Sequence, residues 1–166
     1  MENKTVTKKV LAQKGVKVPE GDEFNSIEEA KLKAGNYINK PVVIKPNSTN
    51  FGIGINIFPN GANLEDIVHA FEIAFKNDNT VLIEEFIKGK EYRFLVIDDE
   101  VVGILHRVPA NVIGDGEKTI SELVEIKNQD PLRGKGYVKP LEKIRLEENA
   151  ELFLKQQGKN FDYVPK

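Results

Sequence analysis

Residues 42–56 read Val-Val-Ile-Lys-Pro-Asn-Ser-Thr-Asn-Phe-Gly-Ile-Gly-Ile-Asn. A β-branched apolar run ends in Lys45-Pro46, and a second apolar run begins after a loop of small and amide residues. Gly52 and Gly54 allow positive φ and let backbone N–H groups approach a ligand closely. Lys45 adds a compact positive charge at the end of a buried strand. The stretch predicts a strand–loop–strand unit that cradles phosphate, and a plain glycine-containing β-hairpin is the alternative.

The composition limits the class of protein. The chain has 166 residues, 40% of them apolar and 30% charged, so we expect a globule of one domain or of two small lobes around a cleft. A net charge of −2 gives no electrostatic reason to expect nucleic-acid or anionic-membrane binding. The absence of cysteine excludes disulfides, thiol catalysis and thiolate metal sites. Because no signal peptide and no apolar run of ~20 residues is visible, we expect a cytoplasmic protein.

Hydrophobic periodicity predicts helices mixed with antiparallel strands. Ser26 and Thr119 each begin a capping-box pattern, which predicts that a helix starts at the next residue. The pair Asp98-Asp99 indicates a tight turn between two strands. The predicted helices are 4–15, 27–37, 64–75, 119–128 and 147–157, and the predicted strands are 42–45, 53–58, 80–87, 91–98 and 100–108. Residues 16–18 are predicted as a brief extended piece and 131–140 as a mobile loop. Because no βαβ regularity is visible, we predict an α+β fold.

A second segment, residues 81–93, has the character of a purine-binding hinge. It reads Val-Leu-Ile-Glu-Glu-Phe-Ile-Lys-Gly-Lys-Glu-Tyr-Arg. Exposed N–H and C=O groups of residues 85–87 can pair with an adenine edge, Phe86 and Ile87 can cover the ring, and Glu91 can accept both ribose hydroxyls. An ordinary strand–turn–strand with surface charges is the alternative, but a preceding phosphate cradle favours the hinge.

The order of these segments resembles the ATP-grasp ligases over nearly the whole chain. The resemblance begins with Asn3-Lys4 ahead of a helix and continues through residues 16–19, the Lys45 strand and loop, residues 83–93 and the Arg107 strand. The finer motifs resemble the ligase module of the bifunctional glutamate–cysteine ligase/glutathione synthetase family. Those motifs lie at residues 45–52, 84–94, 107–116 and 128–134.

The resemblance implies two α+β lobes, residues 1–86 and 87–166, around an ATP cleft. Lys4 and Lys45 would reach the α- and β-phosphates, although Lys4 can also belong to a solvated helix face with Lys8 and Lys9. The loop implied to close over the phosphates contains Asn47, Ser48, Thr49, Asn50, Phe51, Gly52 and Gly54. The residues implied to hold the adenosine are Glu84 at the adenine amino group, the backbone of Glu85, Phe86 and Ile87 at the ring edge, and Glu91 at the ribose.

The resemblance also implies a chemistry. In this family a substrate carboxylate attacks the γ-phosphate of ATP to form an acyl phosphate, and an amine then displaces phosphate to form an amide. In the glutathione branch the acid is γ-glutamylcysteine and the amine is glycine. Arg107 would face the transferred phosphate or the acyl phosphate, and Arg93 would orient the substrate. Protein groups and Mg²⁺ then act by positioning and charge neutralisation.

Metal ligands are the part of the family pattern that this sequence does not supply. ATP-grasp enzymes hold two Mg²⁺ ions with an acidic residue on one late strand and a Glu-x-Asn on the next. Glu147-Glu148-Asn149 spells Glu-x-Asn, but it opens a predicted helix, where the helix dipole favours carboxylates. We therefore predict no metal ligand here. We expect the metal-binding strands and the γ-glutamylcysteine-forming domain to lie outside this chain, and turnover by the chain alone to be weak or absent.

Three functions remain open from the sequence. The first is a ligase of the glutathione synthetase type. The second is a cyanophycin-synthetase-like amino-acid ligase, which shares the later motifs but usually carries a different phosphate loop. The third is a non-catalytic nucleotide-binding fragment, whose partner would be the remainder of the ligase. The loop of residues 133–139 is either a substrate lid or a solvated loop, and no oligomeric state is predicted.

Overall fold

The computed structural model describes residues 3–50, 52–136 and 138–166. The helices are α1 (Lys4–Gln13), α2 (Ile27–Lys33), α3 (Leu64–Phe75), α4 (Ile120–Lys127) and α5 (Glu148–Lys155), with a 3₁₀ helix at Ala34–Tyr37. The strands are β1 (Gly21–Phe24), β2 (Val42–Pro46), β3 (Asn56–Phe58), β4 (Val81–Glu85), β5 (Glu91–Ile97), β6 (Glu100–Arg107), β7 (Arg133–Gly134) and β8 (Leu141–Glu142). The predicted α+β class is confirmed. None of the described helices has the length and apolar character needed to cross a membrane.

A four-stranded antiparallel sheet with the order β1-β4-β2-β3 organises the first half of the chain. Along β2, Val42 and Ile44 are buried, whereas Val43 and Lys45 are half-buried. Successive side chains of a strand point to opposite faces, so one face of this sheet is apolar and the other carries Lys45.

Helices α2 and α3 pack on the apolar face and form the core. Helix α3 begins because the Asn63 side chain accepts a hydrogen bond from the N–H of Asp66 at 2.8 Å. Its buried residues Ile67, Ala70, Phe71, Ile73 and Ala74 recur at helical spacing. Phe71 meets Phe24 edge to face, with ring centroids 5.5 Å apart. Burying one such ring contributes about 1.5–3 kcal/mol to stability.

Strands β5 and β6 form a separate hairpin. A two-residue turn at Asp98 and Asp99 connects them, and Asp98 has φ +51°, which an aspartate tolerates in a tight turn. All residues of the hairpin are exposed apart from the half-buried Gly103. The hairpin makes no extensive contact with another described helix or strand. Its apolar side chains, including Phe94 and Leu105, therefore remain more than half exposed.

The C-terminal helix α5 returns to the first half of the chain. Leu152 is 3% exposed and belongs to the same core cluster as Phe58 and Phe71. The side chains of Asn149 and Gln156 donate hydrogen bonds to backbone carbonyls beside and within the edge strand β3, at 3.4 and 3.2 Å. These bonds cover part of an edge that would otherwise expose unpaired backbone groups. The division into lobes at residue 86 stays a prediction.

Most predicted elements are confirmed within a few residues, and four parts of the chain differ. The helix predicted over 27–37 ends at Lys33 and continues as the 3₁₀ helix Ala34–Tyr37. Residues 53–58 were predicted as one strand, but β3 begins only at Asn56 because a glycine turn occupies the start. Strand β1 was not predicted, since Pro19-Glu20-Gly21 indicates a turn. A Cβ at Gly21 would overlap the Ile83 carbonyl, so this glycine permits close approach to β4. The predicted loop 131–140 contains β7, which pairs in parallel with β8.

Candidate functional site

A buried carboxylate lies between two lysines on the open face of the sheet. In the β2–β4 register, Lys45 faces Leu82, so Lys45 and Glu84 are diagonal neighbours on one face and form an ion pair. Lys8 of α1 lies 2.7 Å from the other oxygen of Glu84, whose side chain is 2% exposed. Glu84 thus fixes Lys45 and joins α1 to the sheet.

Lys4, one turn before Lys8 on α1, anchors the loop that follows β2. Its ammonium group donates to the carbonyls of Pro46, Asn47 and Thr49 at 2.9, 3.0 and 2.8 Å. Partial burial, and then the nearby charge of Lys45, lower the pKa of Lys4. An ammonium has three donors, and all three are used here. The phosphate contact predicted for Lys4 stays a prediction, and in this structure the side chain holds the loop.

The start of the loop is fixed by further bonds. Asn47 is buried, its side-chain oxygen accepts from the N–H of Thr5 at 3.1 Å, and its own N–H donates to the Thr80 carbonyl at 2.9 Å. The N–H of Ser48 donates to Asp78 at 2.7 Å. Partial burial would raise the pKa of Asp78, but hydrogen bonds from the Ser48 and Thr80 backbone outweigh it and lower that pKa. Both N–H groups are therefore engaged within the fold.

The later part of the loop contains backbone N–H groups that are available to a ligand. The N–H groups of Thr49, Asn50, Gly52 and Gly54 donate no hydrogen bond within the described ranges. Two backbone contacts shape this part: Ile53 N–H donates to Asn50, and Ile55 N–H donates to Gly52, each at 3.2 Å. Unpaired N–H groups beside glycines of positive φ are typical of anion-binding concavities. Phe51, also predicted to contact the nucleotide, lies outside the described residues.

Alanine substitutions at the two loop glycines should have unequal costs. Gly52 and Gly54 have φ of +77° and +70°, so either alanine is strained. A Cβ at Gly54 would lie 2.8 Å from Cγ of Pro46, whereas one at Gly52 would meet nothing within 4 Å. We expect Gly52→Ala to lower the free energy of unfolding by about 1 kcal/mol and Gly54→Ala by about 2 kcal/mol. Urea unfolding of both variants measures this, and equal losses would contradict the close contact with Pro46.

Two of the three backbone N–H groups in the predicted adenine hinge, residues 85–87, already donate hydrogen bonds within the fold. The N–H of Glu85 donates to Glu20 at 2.8 Å and that of Phe86 donates to Pro41 at 3.0 Å. The expectation of exposed donors is therefore wrong for these two residues, because connections before β1 and β2 occupy them. The N–H of Ile87 has no partner among the described residues, and its side chain is 60% exposed.

The predicted catalytic arginines lie on the β5–β6 hairpin. Arg107 is paired with Glu91 across the two strands at 3.1 Å, and both side chains are largely exposed. Arg93 is opposite Leu105 in the register. Within the described ranges, no hydrogen bond or ion pair joins these hairpin residues to Lys45 or Glu84. The structure thus assembles the phosphate-loop residues with Glu84 and leaves Glu91, Arg93 and Arg107 as a second group.

The Glu-x-Asn sequence at residues 147–149 makes contacts that hold helix α5 in place. Glu148 contacts Lys76 at 2.7 Å and His69 at 3.4 Å, and Asn149 bonds to the Ile55 carbonyl. These contacts dock α5 onto α3 and onto the residue that precedes β3. In the part of the chain that the structure describes, no group of three or more histidine, cysteine, aspartate or glutamate residues could hold a metal ion.

Sequence reasoning also missed a cavity of about 650 Å³ that adjoins the glycine loop. Gly52 and Ile53 line it together with residues of α4, α5 and the segment around β8. Its residues are scattered between positions 52 and 165, so no local pattern indicates it.

Comparison with known proteins decides the family of this chain. The family model described as the RimK-like ATP-grasp domain matches residues 1–117. The chain belongs to the RimK-like ATP-grasp family. The ATP-grasp resemblance predicted from the sequence is thereby confirmed.

Individual relatives of this ATP-grasp chain are bifunctional proteins. The glutathione biosynthesis bifunctional protein GshAB of Clostridium perfringens is 59% identical over 166 residues, which cover 100% of this chain and 21% of that protein. GshAB of Enterococcus faecalis is 55% identical over 165 residues, covering 99% and 22%. The chain therefore spans about a fifth of the length of these curated relatives.

Two solved structures of ligases match parts of this chain. The bifunctional glutathione synthetase from Pasteurella multocida is 50% identical, with a TM-score of 0.44, and the match covers 100% of this chain and 22% of that one. The D-alanine–D-alanine ligase from Helicobacter pylori is 27% identical, with a TM-score of 0.46, covering 55% of this chain and 27% of that one.

Proposed function

We propose that this chain acts as an ATP-dependent carboxylate–amine ligase module of glutathione biosynthesis, which joins glycine to γ-glutamylcysteine through an acyl phosphate. The observation that carries the proposal is the arrangement at the end of β2. There Lys45, held by Glu84, lies at the start of a glycine loop whose later N–H groups have no partner within the described residues. The family membership of the chain and the names of its GshAB relatives support this choice.

The residues at this end of the sheet suit a nucleoside triphosphate. Lys45 offers a positive charge, and the free N–H groups of the glycine loop offer donors to phosphate oxygens. A charge-assisted hydrogen bond from Lys45 contributes about 1.5–3 kcal/mol to phosphate binding. Each oxygen of Glu84 contacts one lysine, and a carboxylate has about four acceptor positions, so Glu84 can still accept from an adenine amino group.

The proposed reaction has two steps. The carboxylate of γ-glutamylcysteine attacks the γ-phosphorus of ATP, so that an acyl phosphate forms and ADP leaves. The amine of glycine then attacks the acyl carbon, phosphate leaves, and the nitrogen loses its extra proton. In this proposal Arg107 neutralises the transferred phosphate and Arg93 orients the acid, which requires Arg107 to exchange its partner Glu91 for substrate. Glu91 would then be free to bind the ribose.

Mg²⁺ would accompany ATP and neutralise phosphate charge. Because the described residues hold no cluster that fits a metal ion, we assign the ion no ligand in this chain. The lobes proposed to enclose the nucleotide are residues 1–86 and 87–166.

A product assay tests the proposed function. The purified chain, at a concentration comparable with its substrates so that weak turnover is detected, receives MgATP, γ-glutamylcysteine and one amine. We expect glutathione and phosphate with glycine, and neither when the acid is omitted. Amide formation with arginine or aspartate in place of glycine would instead support the cyanophycin-synthetase-like alternative. ATP binding without any product would overturn the ligase proposal.

One observation favours a second candidate, nucleotide binding without ligation. The hairpin that carries Arg93 and Arg107 makes no extensive contact with other described elements, and Arg107 already has Glu91 as its partner. A chain that binds MgATP with the Lys45 end of the sheet, and yields no amide, would fit this second function.

A further inference from the structure

The cavity next to the glycine loop is lined by both apolar and charged residues. Its volume of about 650 Å³ lies in the range of small-molecule sites. Ile120 and Val124 of α4 and Phe153 of α5 contribute apolar surface. Gly52 and Ile53 of the glycine loop are part of the lining, so the cavity adjoins the loop that is proposed to bind the phosphates.

Arg133 contributes a positive charge to the cavity lining, and its position is fixed. Strand β7 pairs with β8, the Arg133 N–H donates to Asp130 at 2.9 Å, and Nη1 of Arg133 donates to the Glu142 backbone carbonyl at 2.8 Å. The side chain is thus oriented before any ligand binds, which lowers the entropic cost of binding.

The charge of Arg133 is not compensated within the described part of the chain. Its Nε is buried without a hydrogen-bond partner there, and its guanidinium forms no ion pair with a described carboxylate. The other arginine of the cavity, Arg145, differs because its guanidinium lies 3.6 Å from Glu147 and 3.8 Å from Glu142. A half-buried, fixed guanidinium that has no counter-ion among the described residues favours an anionic ligand, and its fork of donors matches a carboxylate.

We propose that this cavity binds the acid substrate of the ligase, and that Arg133 pairs with the carboxylate that does not react. In this proposal the reacting carboxylate lies beside Gly52 and Ile53, next to the phosphate loop. This inference rests on the proposed function. γ-Glutamylcysteine suits the site because it has two carboxylates, one on cysteine that forms the new amide and one on the glutamyl residue that remains unchanged.

A pair of peptides tests the assignment on the full chain. Calorimetry compares γ-glutamylcysteine with 4-aminobutanoyl-cysteine, which lacks only the glutamyl α-carboxylate, in the presence of MgADP. For the unchanged protein we expect γ-glutamylcysteine to bind at least about tenfold more tightly, as expected for loss of a charge-assisted hydrogen bond. In Arg133→Gln the two peptides should bind equally, and in Arg133→Lys part of the difference should remain.

Arg145→Gln is the matched control, because it removes the same charge from the same cavity at a position with carboxylate partners. It should preserve the difference between the peptides. Circular dichroism establishes folding of each variant. If Arg133→Gln does not fold, the Arg133 Nε–H resonance of the unchanged protein supplies the test, since γ-glutamylcysteine should shift it and the truncated peptide should not.

The outcomes separate this inference from the proposed function. Equal binding of both peptides by the unchanged protein, or a difference that survives in Arg133→Gln, overturns the Arg133 subsite. A parallel MgATP titration should give the same affinity for Arg133→Gln and the unchanged protein. If MgATP binding weakens instead, Arg133 binds phosphate and the subsite is wrong. If MgATP binds normally but the product assay with glycine yields no amide, the proposed ligase function is wrong. That result does not depend on the peptide titrations.

Discussion

Replacing Lys45 by alanine should weaken MgATP binding ten- to hundredfold. Lys45 lies where β2 meets the glycine loop, and its ammonium is oriented by the buried Glu84. A charge-assisted hydrogen bond to phosphate contributes about 1.5–3 kcal/mol, and 1.4 kcal/mol corresponds to a factor of ten in affinity. Calorimetric titration of the folded variant with MgATP gives the dissociation constant directly.

The control for this experiment is Lys40→Ala. Lys40 is exposed, and its side chain makes no hydrogen bond or ion pair in the described ranges. Its removal changes the net charge equally and should leave MgATP affinity within about twofold, because separated surface charges are screened by salt. An affinity of Lys45→Ala equal to that of Lys40→Ala would show that the loop does not bind phosphate as proposed. Circular dichroism of both variants establishes that neither is unfolded.

Glu84→Gln should lower the free energy of unfolding by about 3 kcal/mol. The substitution keeps the size of the side chain but leaves Lys45 and Lys8 close together without their shared counter-charge. Removing one member of a buried ion pair costs about 3–5 kcal/mol, and the lower end applies because the two lysine side chains are 20% and 24% exposed. Urea unfolding, monitored by circular dichroism, measures the loss.

Glu29→Gln provides the matched comparison. Glu29 and Lys33 form an ion pair at 2.8 Å along α2, with about half of each side chain exposed. An exposed pair at this helical spacing contributes about 0.3–0.5 kcal/mol, so this variant should be nearly as stable as the unchanged protein. If Glu84→Gln and Glu29→Gln lose similar free energies of unfolding, the buried ion pairs of Glu84 contribute no more to stability than an exposed ion pair.

Local sequence determined much of the secondary structure. The capping box at Thr119 forms with both reciprocal bonds, and Ser26 caps α2 through the N–H of Glu29. The apolar spacing of residues 64–75 matches α3, and the Asp98-Asp99 pair forms the hairpin turn. These features depend on residues at most a few positions apart, whose preferred dihedrals and hydrogen bonds can be read from a short segment.

The candidate site was predictable in its residue types but only partly in its geometry. The pattern around Lys45, Gly52 and Gly54 predicts a phosphate loop, and phosphate binding by these residues stays a prediction. The pattern did not indicate that Lys4 would hold three carbonyls of this loop, or that Lys8 would share Glu84 with Lys45. Those partners are about 40 to 75 positions apart in the sequence, so no local pattern connects them.

The sequence alone determined the helices, the hairpin, the α+β class and the resemblance to ATP-grasp ligases, because each of these rests on local spacing or on the order of short motifs. Only the tertiary structure decided which groups are free to act. It placed β1 on the edge of β4 and used the N–H groups of Glu85 and Phe86 within the fold. It also placed the Arg133 guanidinium in the lining of a cavity, without a counter-ion among the residues that the structure describes. The physical reason is that hydrogen-bond partners and counter-ions are supplied by segments distant in sequence, which meet only when the chain is folded.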